Sequence, residues 1–249
     1  MEVLIIFLFG LIIGSFLNVV IYRLPRGQSI LYPPSTCPNC GQRLKPWHLI
    51  PVVSFLLQKG RCAYCGGKIS FKYPLVELIT AFIFSVVYMK FGLSFLTLKH
   101  LLFFIFLIPL FFLDLENYLL PDKLTYPLFL AGILINLITR ELSWKSLIFG
   151  VITGFGLLFL LALISRGGIG GGDIKLAAGL GAFLGFPLIL ETLFLAFFFG
   201  GLTGIILLLT KKKARGDMVP FGPFLIGAAF ITVLWGEKII KWYLKIFFL

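Results

Sequence analysis

The sequence predicts an all-α polytopic membrane protein, about eight transmembrane helices with one small cytoplasmic four-cysteine domain, and three observations predict it. Hydrophobic residues make up 59% of the chain and charged residues 13%, too little charge to cover a soluble globule. Apolar blocks suited to a membrane crossing recur along almost the whole length. The basic residues fall in short runs between those blocks, so membrane topology explains the formal charge of +12 better than a nucleic-acid surface does.

The first block, Val3 to Tyr22, follows Met1 and Glu2 with no basic flank, so it is expected to remain as a helix and not to be cleaved as a secretory signal. Arg23 and Arg26 come after it, which places the N-terminus outside and the next segment in the cytoplasm. Residues 23–73 form the one sizeable extramembrane domain, and 23–72 carry eight Lys or Arg and no acid. Further crossings are expected at 74–89, 98–117, 124–139, 146–165, 174–186, 188–210 and 221–236, so that 74–249 forms a multi-helix domain. Alternation then puts the connections 115–123, 166–173 and 211–222 on the cytoplasmic face, which collects 15 of the 22 Lys and Arg. The stretch from Glu237, with Lys238, Lys241 and Lys245, falls outside by this count and departs from the rule. An amphipathic end along the interface or a different helix number would each account for it. No internal repeat and no GxxxxGK phosphate loop occurs, so ATP-driven transport has no support.

The cysteines are Cys37, Cys40, Cys62 and Cys65, written C-P-N-C, then 21 residues, then C-A-Y-C. Each C-x-x-C turn aims two thiolates at one point, and four sulfurs complete a tetrahedral shell for structural Zn2+. Two disulfides or four free thiols are the alternatives; a reducing cytoplasm disfavours the disulfides. A closed shell leaves no position for a catalytic water, so the metal is expected to organise a small domain and do no chemistry. His48 lies between the pairs but is surplus to a complete shell.

Only ten acids are present, and all four aspartates, Asp114, Asp122, Asp173 and Asp217, fall at the expected cytoplasmic face. Asp114 ends the apolar run LIPLFFLD, where an ionised carboxylate is costly without a reason. Asp173 follows five glycines in 167–172 and opens a thin, Ala- and Gly-rich helix, GGGDIKLAAGLGAF, that lets a second carboxylate and a substrate backbone approach. Two adjacent carboxylates share a proton, giving one acid and one base for attack of water on a peptide carbonyl. The competing reading makes Asp173 a helix N-cap and Asp114 the partner of Lys123 or Lys175. Asp122, in LLPDK, reads as a cap for the helix from Leu124, and Asp217 as a residue of a basic loop.

In this order the motifs resemble the bacterial type IV prepilin peptidases, or leader peptidase/N-methyltransferases, which are GxGD-type intramembrane aspartyl proteases. GSFLNVVIYRLP at 14–25, the two C-x-x-C pairs, ISFKYPLVE at 69–77, DLENYLLPDKLT at 114–125, GGGDIKLAA at 170–178 and PFGPFL at 220–225 carry the resemblance over nearly the whole chain. It implies that Asp114 and Asp173 are the catalytic pair of an enzyme in the bacterial inner membrane. The implied substrates are membrane-inserted prepilins or pseudopilins, cut after a glycine that ends a short basic leader. It also implies N-methylation of the new N-terminus from S-adenosylmethionine, an activity that accompanies the cysteine insert. No nucleotide fingerprint locates the methyl donor; Glu77, at the mouth of the second helix, is the candidate contact for donor or amine, with an ion pair to Lys72 as its alternative. Asn18 and Arg23 match the first-helix motif without an assignable chemistry.

Other protease chemistries fit poorly: HExxH and GxSG patterns are absent, and the two histidines, His48 and His100, fall on opposite faces. A transporter or channel using membrane-edge aspartates, and a non-catalytic assembly scaffold, are the rival readings.

Overall fold

The computed structural model describes residues 1–165, 167–214 and 217–247; the side chain of Phe247 is outside that description. Arg166 and Arg215, counted above on the basic face, and the last two residues lie outside the described residues. The chain is all-helical: α1 Glu2–Arg23, α2 Val53–Leu57, α3 Lys72–Phe91, α4 Phe95–Asn117, α5 Asp122–Thr139, α6 Trp144–Ile164, α7 Gly171–Leu184, α8 Leu188–Leu209 and α9 Gly222–Phe247. Among the described residues the β pairing is limited to two isolated bridges, Thr36 with Arg43 and Arg61 with Lys68.

Each of the eight expected crossings coincides with a helix. Six of these, α1, α3, α4, α6, α8 and α9, are long and apolar enough to span a membrane. α7 has 14 residues, about 21 Å at 1.5 Å per residue, against a hydrocarbon layer of about 30 Å. α5 opens on Asp122 and Lys123 and has 18 residues. The expected end of the last crossing at residue 236 differs from the structure: α9 runs on as one helix to Phe247.

Two compact units divide within α4, Met1–Pro109 and Leu110–Leu249. In the first, α1 packs on α3 through glycines four apart: a Cβ on Gly10 would lie 2.6 Å from the Ala81 Cα, and one on Gly14 2.6 Å from the Glu77 Cα. Where lipid supplies no hydrophobic drive between helices, such close backbone approach provides the attraction. Asn18 Nδ2 donates to the Tyr73 carbonyl at 2.9 Å and fixes the register of the pair.

In the second unit α7 is the centre. From Ile174 to Leu184 all but Lys175 are buried, the pattern of a helix enclosed on every side. α6 approaches it through Gly150, whose added Cβ would meet the Gly181 carbonyl at 2.7 Å. From α5, Asn136 Nδ2 donates to the Ala182 carbonyl at 2.6 Å. α8 joins α9 through a Thr192–Thr232 hydroxyl bond of 3.0 Å. These contacts fix the C-terminal half of α7 against α5 and α6 and join α8 to α9.

Candidate active site

Asp114 lies in the last turn of α4 and is 5% exposed. Its carbonyl accepts from the Tyr118 amide at 2.9 Å, where a φ of 53° ends the helix. Its side-chain Oδ2 accepts from the Gly222 amide at 2.9 Å. Gly222 opens α9, and the first amides of a helix have no partner within it and carry the positive end of its dipole, so α9 presents a donor to a buried carboxylate. Only glycine fits, because a Cβ at 222 would lie 2.7 Å from Oδ2.

Asp173 lies in the first turn of α7, and its amide donates to the Gly170 carbonyl at 3.1 Å. The cap reading of Asp173 is overturned: the N-cap is Gly170, with no side-chain capping bond. Instead Oδ1 of Asp173 is buried without a hydrogen-bond partner, a costly condition unless the atom serves an incoming donor. Burial first, and then the charge of Asp114, push the Asp173 carboxyl up to about 7, while the Gly170 amide opposes them. Both acids lie in the second unit. Gly172 closes the approach from the other side, since its Cβ would lie 2.8 Å from the Leu120 Cβ.

The remaining aspartates have other partners. Lys175 Nζ donates to Asp122 Oδ1 at 2.6 Å, an exposed pair joining α5 to α7. This corrects the pairing of Lys175 with Asp114 weighed above, because Asp114 points at Gly222. Asp122 is also not the cap of α5: the helix begins at Asp122 itself, after Pro121. Asp217 Oδ2 accepts from the Ala214 amide at 2.7 Å and closes a turn. Sequence reasoning missed Gly222 as a donor; PFGPFL was legible as a motif, but nothing local says which side chain its first free amide meets.

The first unit holds the four thiols within 4.8 Å of one another, and the Cys37 and Cys65 sulfurs stand 3.9 Å apart. Sulfurs around a tetrahedral zinc with bonds near 2.3 Å are about 3.8 Å apart, so the group has the size of a metal shell. Both turns are built alike: the Cys37 amide donates to Gln42 and Gly41 to Cys37, as Cys62 does to Gly67 and Gly66 to Cys62. Gly41 and Gly66 take φ of 69° and 68°, which allows each turn to close. Amides of Cys65 and Tyr64 hold the Cys62 thiol down, to about 7, while, against the Gly67 amide, burial and the neighbouring thiols push Cys65 up to about 11. His48 lies edge-on to Tyr64, 5.3 Å between centroids, and is not among the clustered ligand atoms. Arg23 donates to the Ser29 and Pro34 carbonyls, at 3.0 and 3.3 Å, and so anchors the chain entering this module.

Glu77 is buried in α3, and its Oε2 accepts from the Val52 amide at 2.7 Å. Val52 has a φ of 61°, costly for a β-branched residue. The carboxylate thus holds a strained turn at the start of α2. Glu77 is one of only two acids in residues 1–109; the other, Glu2, begins α1, while the cysteine module follows its far end.

The model of the bacterial peptidase A24 N-terminal domain matches residues 8–91, and that of the type IV leader peptidase family residues 101–205. A prepilin leader peptidase/N-methyltransferase of Bacillus subtilis is 38% identical over 97% of this chain and 97% of its own length. Proteins of the same name from Aeromonas salmonicida and Neisseria gonorrhoeae are 38% and 35% identical, over 96% and 94% of this chain and 93% and 92% of theirs. No solved structure matches. Two family models that together cover most of the chain, and relatives alike from end to end, show that the chain belongs to the type IV leader peptidase family.

Proposed function

We propose that this protein removes the short basic leader of membrane-inserted prepilins or pseudopilins after a glycine, with Asp114 and Asp173 as the catalytic pair, and then N-methylates the exposed residue. The observation that carries the reading is the state of two carboxylates on different helices of the second unit, one held by a helix N-terminal amide and one with a buried oxygen that has no hydrogen-bond partner. Family membership and the names of the relatives favour this activity over a transporter or a scaffold.

The chemistry follows from one proton shared by the pair. The ionised carboxylate takes a proton from water as the water oxygen attacks the scissile carbonyl carbon, and the protonated one donates to the carbonyl oxygen. As the tetrahedral intermediate collapses, the C–N bond breaks, the protonated member gives its proton to the departing amine and the ionised member takes back the proton of one hydroxyl as the new carboxyl C=O forms, so the pair again holds one proton. The Gly222 amide keeps Asp114 oriented throughout and contributes no proton.

Residues 23–73 are proposed to be a zinc-binding domain, Cys37, Cys40, Cys62 and Cys65 holding Zn2+ in a closed shell that fixes the fold of the module. S-adenosylmethionine, when bound, supplies the methyl group to the amine lone pair. Glu77 is the candidate to contact donor or amine, as the acid of the first unit nearest in sequence to the cysteine module. The protein is a multi-pass membrane protein; we place it in the inner membrane, N-terminus outside, with cysteine module, Asp114 and Asp173 at the cytoplasmic face. The test is incubation of purified protein with a prepilin and labelled S-adenosylmethionine, reading leader release and methyl incorporation together. Both are expected; absence of leader release from folded protein overturns the peptidase reading.

A further inference from the structure

α8 is a membrane-spanning helix that leaves most of its surface open, only 17% of its apolar window being buried. At its end the chain turns back, the Lys211 amide donating to Leu208 and the Lys212 amide to Leu207, both at 3.1 Å. Beside the turn lies an open groove of about 610 Å³ lined by Ile205, Leu208, Leu209, Lys211, Lys213 and Ala214. Ile205, Leu208 and Leu209, from the last turns of a helix long and apolar enough to span a membrane, line it together with Lys211 and Lys213. We propose that this groove binds an anionic phospholipid, its phosphate held by Lys211 and Lys213 and an acyl chain lying against Ile205, Leu208 and Leu209.

Three features favour that occupant. Three consecutive lysines, Lys211 to Lys213, leave a spanning helix here, and the acid of the same connection, Asp217, is occupied in closing the turn on the Ala214 amide. Such juxtamembrane clusters attract anionic headgroups by about 1 kcal/mol per cation. Lys213 is already placed, because its Nζ donates to the Tyr118 hydroxyl at 3.3 Å and to the Met218 carbonyl; a preset cation loses little freedom on binding. Finally, a free phosphate would use the cations and leave the leucines bare, and a neutral lipid would do the reverse. A lipid with a net negative headgroup uses both. The site belongs to the same end of the second unit as Asp114, since Tyr118 lies one helical turn beyond it.

The experiment is native mass spectrometry of the delipidated full-length protein titrated with dioleoyl phosphatidylglycerol and, separately, dioleoyl phosphatidylcholine. The anionic lipid is expected to bind roughly 10- to 30-fold more tightly, the effect of two headgroup cations. Lys211→Gln should remove part of this preference, and Lys211→Gln with Lys213→Gln most of it, at unchanged thermal midpoint. Lys238→Gln with Lys241→Gln, which removes the same charge from α9, should leave the preference intact. Equal binding of the two lipids overturns the proposal. So does an equal effect of the α9 variant, which would mark general charge attraction, and so does displacement of the lipid by an equal concentration of inorganic phosphate, which would mark a phosphate site.

Discussion

In the first unit the four thiols come from two turns, each closed by hydrogen bonds spanning five or six residues and each repeating the other's pattern. In the second, the bond that orients Asp114 reaches across 108 positions, and Asp173 arrives from a third helix. The thiol cluster owes its geometry to local turns, whereas the placing of Asp114 and Asp173 depends on how α4, α7 and α9 pack. Damage to the first should therefore stay in the first. A change of a few tenths of an ångström in the second should reach the chemistry.

The sharpest way to break this contrast is to remove one carboxylate. Asp114→Asn and Asp173→Asn are each expected to reduce leader release by at least ~10³-fold, since neither amide replaces an acid or base, in protein with an unchanged thermal midpoint. Gel assay of a reconstituted prepilin measures it, and a loss under tenfold in either variant removes that residue from the pair.

Gly222→Ala tests the packing half of the comparison. The new Cβ would need space 2.7 Å from Asp114 Oδ2, and displacement of a catalytic group by ~1 Å costs about 10²-fold in rate. A fall of ~10- to 100-fold in kcat for cleavage, with KM nearly constant, is expected; wild-type kcat would mean that the amide does not set the orientation of Asp114.

Cys37→Ser with Cys40→Ser sharpens the other half. Metal analysis should fall from one zinc per chain to none, and methyl incorporation by more than about tenfold, because the metal is the core of a module too small to have another. Cleavage of prepilin should change by less than about threefold. Equal loss of both activities in folded protein would join what the contrast separates. The smallest effect belongs to Lys175→Met: its bond to Asp122 is short but exposed, and such pairs contribute under about 1 kcal/mol. Thermal melting should move by a few degrees at most, and a larger shift would make the α5–α7 junction part of the site's support.

Residues with local causes were legible before any coordinates. Apolar runs locate eight helices, six of them long and apolar enough for a bilayer, which demands that backbone groups be satisfied within the segment. The C-x-x-C spacing locates the thiol cluster because one turn and one left-handed glycine suffice to build each half. Asp114 and Asp173 stand out because an acid at the end of an apolar run or after a glycine tract needs an explanation that its neighbours do not supply.

What only the tertiary structure decided is which groups those residues meet. Lys175 takes Asp122 and leaves Asp114 to the Gly222 amide; Glu77 turns to the strained Val52 amide; α9 runs on past residue 236. A helix or tight turn is settled by hydrogen bonds within about five residues, so the sequence determines it directly. The facing of one helix by another is settled by side-chain fit summed over the whole unit, and no short window contains that sum.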